Sequence, residues 1–306
     1  MKALAEWILA GRGQAVMVAA VSLVLALLIT PLALVSAAVP ALVTLRRGLR
    51  EGLLVSLLAM VALGVLGWLL FGQPLALAIT GALLWLPVCG LAELLRWSRS
   101  LRFAVEAAAL LGLLMVAGQY LFFDDVAGYW KGAMSDYLAQ TVDAAVMPEA
   151  EQRKLVDALA PWMAGALGAA WFIQLTLALF LARGAQARVE NPGGFAREFR
   201  RLRLGTWLLI LVPVTLVAGM LEKGPGLASQ LSLVGLSAFF FQGVALVHGL
   251  VDRLQAGVGW LVGFYLMLVI GMPASFTLVS AAGFADGLVN FRARVRPRGA
   301  DDGDGE

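Results

Sequence analysis

The sequence predicts an all-α fold: a polytopic transmembrane helix bundle of about eight to ten membrane segments, with both termini in the cytoplasm. Three observations predict it. Apolar runs recur along the whole chain, each long enough to cross or nearly cross a bilayer. Only 14% of the 306 residues are charged against 61% hydrophobic, whereas soluble domains carry about a quarter charged residues, and the mean hydropathy is +0.86. Basic residues, finally, concentrate in the short loops of one side.

Residues 1–14 form an interfacial N-terminal segment. Lys2 precedes a short apolar stretch with Glu6 and Trp7, and Gly11, Arg12 and Gly13 intervene before the first long run, so no cleavable signal peptide is expected. Residues 15–123 supply transmembrane helices 1–5. The run 15–44 would extend about 45 Å as one helix, too long for a single crossing, and it carries Pro31 and Pro40. It therefore predicts a hairpin of two short segments, 15–30 and 32–44. Full spans follow at 53–71, 75–95 and 101–123, each near the 17 to 25 residues that a hydrocarbon core of about 30 Å requires.

Residues 124–161 form external amphipathic helices. Val126, Trp130, Met134, Tyr137, Leu138, Val142 and Val146 recur at helical spacing, and Pro148 with Glu149 and Glu151 opens a second helix. A cap on the bundle and a lid or partner-docking element both fit. Residues 162–292 hold transmembrane helices 6–10, with direct spans at 162–181, 207–221 and 227–251 and a basic cytoplasmic loop at 182–206. In that loop Phe195, Phe199 and Leu202 share a face while Arg197, Arg200, Arg201 and Arg203 crowd the segment, the pattern of an interfacial helix held by anionic lipid. Gly271, Met272 and Pro273 interrupt the run 259–291 and predict a second hairpin. Residues 293–306 form a cytoplasmic tail whose Asp301, Asp302, Asp304 and Glu306 lack the length and closing glutamate of a calcium loop.

Sidedness checks this count. With both hairpins crossing twice, Lys2, Arg12, Arg46, Arg47, Arg50, Arg96, Arg99, Arg102, Arg183, Arg188, Arg197, Arg200, Arg201, Arg203, Arg253, Arg292, Arg294, Arg296 and Arg298 share one side. Only Lys131, Arg153, Lys154 and Lys223 fall on the other, the pattern expected when both termini are cytoplasmic. Re-entrant terminal hairpins would give eight full spans with the same sidedness.

Ionisable groups within spans are costly and are the first candidates for function. Glu93 sits three residues before Arg96, close enough for a local pair. Glu106, Asp286, Asn290 and Arg292 are candidates for a buried polar clasp joining the last helix to its neighbours, with a proton or ion relay as the functional alternative. Gln119, Tyr120, Gln174 and Gln230 place polar side chains in the membrane, where an amide must find partners. They either bond helix to helix or line an outward-facing ligand pocket; Ser229 and the deeper Gln242 belong to the same set. Ala15 with Ala19 and Gly165 with Ala169 (and Ala166 with Ala170) allow close helix packing at four-residue spacing. His248 and Asp252 make a poor metal site, and the single cysteine, Cys89, cannot form an intrachain disulfide. No phosphate-binding glycine loop, HExxH, CxxC or G-x-S-x-G motif occurs. A non-enzymatic protein without cofactor or metal is therefore expected.

The two ends carry a resemblance. Gly11-Arg12-Gly13-Gln14-Ala15 leads into the proline-broken hairpin and on to Leu45-Arg46-Arg47-Gly48-Leu49-Arg50-Glu51-Gly52, and the last helix ends with Gly283, Asp286, Phe291 and Arg292. Together these resemble the YybS-like family of bacterial inner-membrane proteins (domain of unknown function 2232), whose final helix carries a Gly, an Asp, then an aromatic residue and Arg. Asn290 stands here where that family commonly has an acidic residue. The family is itself distantly similar to the substrate-binding membrane subunits of energy-coupling-factor transporters. There a small-residue motif on the first helix packs on a transmembrane partner, which implies such a role for Ala15 and Ala19. The expected function is small-molecule binding or transport with a partner that supplies energy; the alternative is a membrane assembly or scaffold protein acting through protein partners. Expected partners are the lipid bilayer, a membrane protein and a small-molecule ligand, and no nucleic acid.

Overall fold

The computed structural model describes residues 2–143 and 146–295, Leu70 and Phe71 by backbone alone. The expected acidic tail and the basic residues Arg296 and Arg298 lie outside the described residues. Helices and turns account for the described fold, with no strand among the described residues. In order they are α1 (Lys2–Ala10), α2 (Arg12–Leu25), α3 (Leu32–Arg47), α4 (Leu49–Phe71), α5 (Pro74–Ser98), α6 (Leu101–Phe122), α7 (Val126–Thr141) and α8 (Glu149–Leu159). There follow α9 (Met163–Glu190), α10 (Gly194–Arg200), α11 (Thr206–Met220), α12 (Leu227–Arg253), α13 (Gly259–Ile270), α14 (Ala274–Val289) and α15 (Phe291–Arg294).

Five stretches are helical, long and apolar enough to cross a membrane: Leu49–Leu69, Pro74–Ser98, Leu101–Phe122, the run Glu149–Glu190 that ends in α9, and Leu227–Arg253. The chain is a multi-pass membrane protein. α1 and α2 are bent by 119° where they meet, so α1 stands apart as its own helix. The expected full span at 207–221 is corrected: α11 has 15 residues, about 22 Å, short of the hydrocarbon core. Both predicted hairpins are pairs of short helices. Pro31 precedes α3 in the first and Pro273 precedes α14 in the second, while Pro40 lies inside α3 without ending it.

Hydropathy alone misplaces some boundaries. The basic loop expected to begin at residue 182 is helical to Glu190, because Ala, Arg, Gln and Glu are good helix formers even where the apolar run has ended. Asp125 caps α7 by accepting a hydrogen bond from the Gly128 amide at 2.8 Å, and α7 stops at Thr141, so Val146 lies outside the amphipathic helix assigned to it. Pro148 and two acidic residues open α8 as the sequence predicts.

The helices fall into two compact units. The first comprises residues 1–108 and 173–202. In it Gly48, at φ +95, lets the chain turn between α3 and α4, and Gly72, at φ +66, closes α4 before Pro74 starts α5. Trp85 of α5 is fully buried and donates to Ser36 Oγ at 3.1 Å, while Ser36 donates to the Ala19 carbonyl at 2.7 Å. That relay joins α5, α3 and α2. Ala15 and Ala19 are both fully buried, so the small pair read from sequence lies in a helix contact. Ion pairs tie the helix ends: Arg12 with Glu51 through two hydrogen bonds of 2.9 and 2.6 Å, Arg46 with Glu190, and Arg183 with Glu198. Arg47 donates to the Leu9 carbonyl at the end of α1. The apolar face of α10, expected against lipid, packs inward, with the Phe195 and Phe199 rings 5.6 and 5.4 Å from Phe180 and Leu202 buried.

The second unit comprises residues 109–172 and 203–306. α12 is its central helix, packed against α11 and α14. Phe239 is fully buried there, edge-on to Phe284 at 5.2 Å. Where α12 crosses α14, Gly243 and Gly283 face each other so closely that a Cβ on Gly283 would lie 2.1 Å from the Phe239 carbonyl oxygen and 2.6 Å from the Gly243 nitrogen. A second close approach involves Gly168, whose Cβ would lie 3.0 Å from the Gly112 carbonyl oxygen. α7 is tied to α6 by Trp130 Nε1, which donates to Gln119 Oε1 at 2.8 Å, and to α8 by the Lys131–Asp157 pair at 2.6 Å.

Candidate functional site

Two polar clusters stand out in the second unit. The first gathers at the start of α12. Gln230 is 1% exposed; its Oε1 accepts the Gly165 amide at 2.6 Å and its Nε2 donates to the Pro161 carbonyl. The first N–H groups of a helix have no partner within it, so a side chain from α12 here satisfies a donor at the start of α9. Glycine at 165 is required for that contact, since a Cβ would lie 2.8 Å from the backbone of Gln230. Ala169, one turn further on, is also buried, whereas the parallel pair Ala166 and Ala170 is exposed and makes no buried seam. Tyr120 of α6 is half-buried in the same unit.

Glu222, in the loop between α11 and α12, completes this cluster. Partial burial pushes its carboxyl up, but the Ser229 hydroxyl at 2.6 Å and the amides of Ala228, Ser229 and Gly226 at 2.9, 3.2 and 3.1 Å outweigh it and hold the group below the ordinary glutamate value. The carboxylate thereby caps α12 at the positive end of its dipole. Its contribution is in place at neutral pH and is lost as pH falls below about 4.3, through the lowered value of the folded protein. Glu222→Ala is expected to destabilise the protein by about 1 kcal/mol in detergent melts at pH 7. The gap between variant and parent should narrow as acid protonates the carboxyl, and a gap independent of pH would remove the carboxylate from this role.

The second cluster lies where α14 meets α12. Asp286 is 0% exposed, and Arg292 donates to its Oδ2 at 2.6 Å. Local backbone makes the pair: Asn290 ends α14 in the left-handed region, at φ 55 and ψ 61, and turns α15 so that Arg292 returns to a residue six positions earlier. Gln242 of α12 donates to the Gly283 carbonyl at 2.9 Å, approaches Asp286 Oδ2 at 3.4 Å, and accepts the Leu204 amide at 2.7 Å. Arg203 donates to the Gly287 carbonyl at 3.0 Å. Asp286 Oδ1 is buried without a hydrogen-bond partner among the described residues.

The sequence-predicted residues therefore separate. Asp286 and Arg292 form the clasp directly, and Asn290 serves it through its backbone. Glu106 pairs with Arg102 at 2.6 Å, one turn back on α6, in the first unit. Of the residues proposed to line a ligand pocket, Gln230 is buried at the start of α12, Tyr120 is half-buried in the same unit, and Gln119 bonds to Trp130 and to the Met115 carbonyl. Gln174, half-buried on α9, belongs to the first unit. Glu93 pairs with Arg96 at 3.0 Å as its spacing predicts. His248 Nε2 lies 2.8 Å from the hydroxyl of Tyr265 on α13, a partner that sequence spacing does not disclose. Leu204, Gly243 and Glu222 went unassigned as site residues, whereas Gln242 carried a signal, an amide deep in an apolar run. Chemically, both clusters hold helices together: Gln242 bridges the backbone of Leu204 and Gly283, and Gln230 joins α12 to the stretch that opens α9.

Comparison of the chain with protein-family models, with curated proteins and with solved structures finds no match.

Proposed function

We propose that the chain is a non-enzymatic protein of a bacterial inner membrane, related to the YybS-like family, that works as a membrane assembly or scaffold component through protein partners. The observation that carries this reading is that three of the membrane amides are bonded inside the protein. Gln119, Gln230 and Gln242 spend their hydrogen-bonding groups on helices of their own unit. A rigid body offering its surface to partners needs such welds, whereas a binding pocket needs polar groups left open to the ligand. The groove of about 410 Å³ between α7 and α8 supports the same reading, with Leu138, Val142 and Val156 beside Asp143, Glu149 and Arg153. The one-sided distribution of arginine supports the inner membrane.

A second reading, small-molecule binding in support of transport, draws on Asp286, whose buried Oδ1 accepts no hydrogen bond among the described residues. Native mass spectrometry of the protein released gently from its own membranes separates the two. Bound protein subunits without a small molecule are the expected result. A small molecule other than a membrane lipid, retained at one per chain with no protein subunit, would overturn the scaffold in favour of the second reading.

A further inference from the structure

α11 is shorter than the membrane it faces, and its register on α12 fixes where it starts and stops. Gly235 lies so close that its Cβ would meet Val212 Cγ2 at 2.4 Å, Ser232 donates to Thr215 at 3.1 Å, and a Cβ on Gly219 would meet Ser229 Oγ at 2.7 Å. One number rises as the other falls, so the two helices run antiparallel. Just ahead of α11, the Leu204 amide reaches Gln242 at 2.7 Å. α11 therefore covers α12 only between Ser229 and Gln242, and residues 243–253 of α12, about 16 Å, run on past it.

Charge marks both ends of this short span. No charged residue occurs between Arg203 and Glu222, and Ile210, Val214, Val217 and Leu221, spaced to share one helix face, are all exposed. The 15-residue helix falls about 8 Å short of a hydrocarbon core of about 30 Å. Such a mismatch is relieved by flanking side chains that stretch to the headgroups, by association with other helices, or by a thinner bilayer. The first route is closed by the flanking charges themselves. Arg203 donates to the Gly287 carbonyl at 3.0 Å. The Glu222 carboxylate is held by the Ser229 hydroxyl at 2.6 Å and by the amides of Gly226, Ala228 and Ser229. Trp207, exposed on the first turn of α11, stands where an aromatic anchor marks the passage from hydrocarbon to headgroups.

We propose that the exposed face of α11 is a bilayer-thinning surface, covered by phospholipid of short acyl chain, with the headgroups at the Arg203 end drawn in by about 8 Å to the level of Gln242. Ile210, Val214, Val217 and Leu221 meet the acyl chains, and the tethered Arg203 sets the depth to which the headgroups descend. The thinning needs no protein partner, so it stands or falls apart from the scaffold reading.

The test is a competition between lipids around the full chain. Cys89→Ala removes the single native thiol, and Val214→Cys then carries a bimane label on the α11 face. Val61→Cys, exposed on the 23-residue α4, carries the control label. The protein is placed in vesicles of equal parts dimyristoleoyl and dierucoyl phosphatidylcholine, with bromine on one lipid at a time as the quencher. The short-chain lipid should quench the Val214 label about threefold more than the long-chain lipid, as a mismatch cost of a fraction of a kcal/mol per Å allows. At Val61 quenching should follow the bulk mixture. Arg203→Leu, which removes the tethered charge, should bring the ratio at Val214 toward one, with circular dichroism confirming that the variant folds; should it misfold, the comparison of Val214 with Val61 decides. Equal quenching by the two lipids at Val214, or a ratio unchanged in folded Arg203→Leu, would overturn the proposal. So would a Val214 label that neither lipid quenches, which would mean that helices of a partner or of a second copy cover this face.

Discussion

Asp286→Ala is expected to lower stability by about 3–5 kcal/mol, the largest effect of any single polar substitution in the chain. The pair it breaks is buried on both sides, with side-chain exposures of 0% for Asp286 and 8% for Arg292. Removing the carboxylate leaves a buried guanidinium whose charge it had balanced, and Gln242 loses a neighbour at 3.4 Å. Replacing both members should cost far less, because Asp286→Ala with Arg292→Met takes away the uncompensated charge as well. Unfolding in detergent, followed by heat or by increasing SDS, measures both variants. A single variant as stable as its parent would dismiss the clasp, and a double variant no better than the single would place the loss elsewhere than in the charge.

Gly283→Ala comes second. One methyl group is added, yet the atoms it meets are backbone atoms of α12, at 2.1 and 2.6 Å, and backbone cannot rotate away as a side chain does. The two helices must separate, and the bond from Gln242 to the Gly283 carbonyl stretches with them. Overpacking of this kind costs about 3 kcal/mol at the upper end of its usual range. Gly263→Ala is the matched control, since its methyl meets open space and should leave the unfolding midpoint unchanged. Because Gly283 and Asp286 share Gln242, their substitutions should not add. A Gly283→Ala protein that unfolds with its parent would mean that the crossing is looser than described.

These two sites show what a one-dimensional reading can and cannot see. Asp286 and Arg292 were visible because a charge in an apolar run has no inexpensive explanation, and the turn at Asn290 that unites them is local. Gly283 was visible only as part of a terminal pattern, and Gly243 not at all. The chain has 34 glycines, and which two meet depends on the crossing of helices forty residues apart. Gln230 declared a need for partners, but the Gly165 amide and Pro161 carbonyl that meet it come from about 65 residues earlier. The fold was legible in the same uneven way. α4, α5, α6 and α12 stand close to the expected spans, since hydropathy is a property of each run by itself. The end of α9 was legible in helix propensity but not in hydropathy, and the inward face of α10 was not legible, because the Arg183–Glu198 ion pair and the aromatic contacts of Phe180 decide it.

The Gln242 bridge also sets an order of events during synthesis. Leu204, its first partner, precedes it by 38 residues, whereas Gly283 follows it by 41. At roughly 5–20 residues per second the ribosome needs about 2–8 s to deliver that second partner. Until then α12 has an amide donor without its Gly283 acceptor and the Gly243 notch uncovered. A nascent chain stalled before α14 is thus chemically marked as incomplete, and the arrival of the last helix erases the mark.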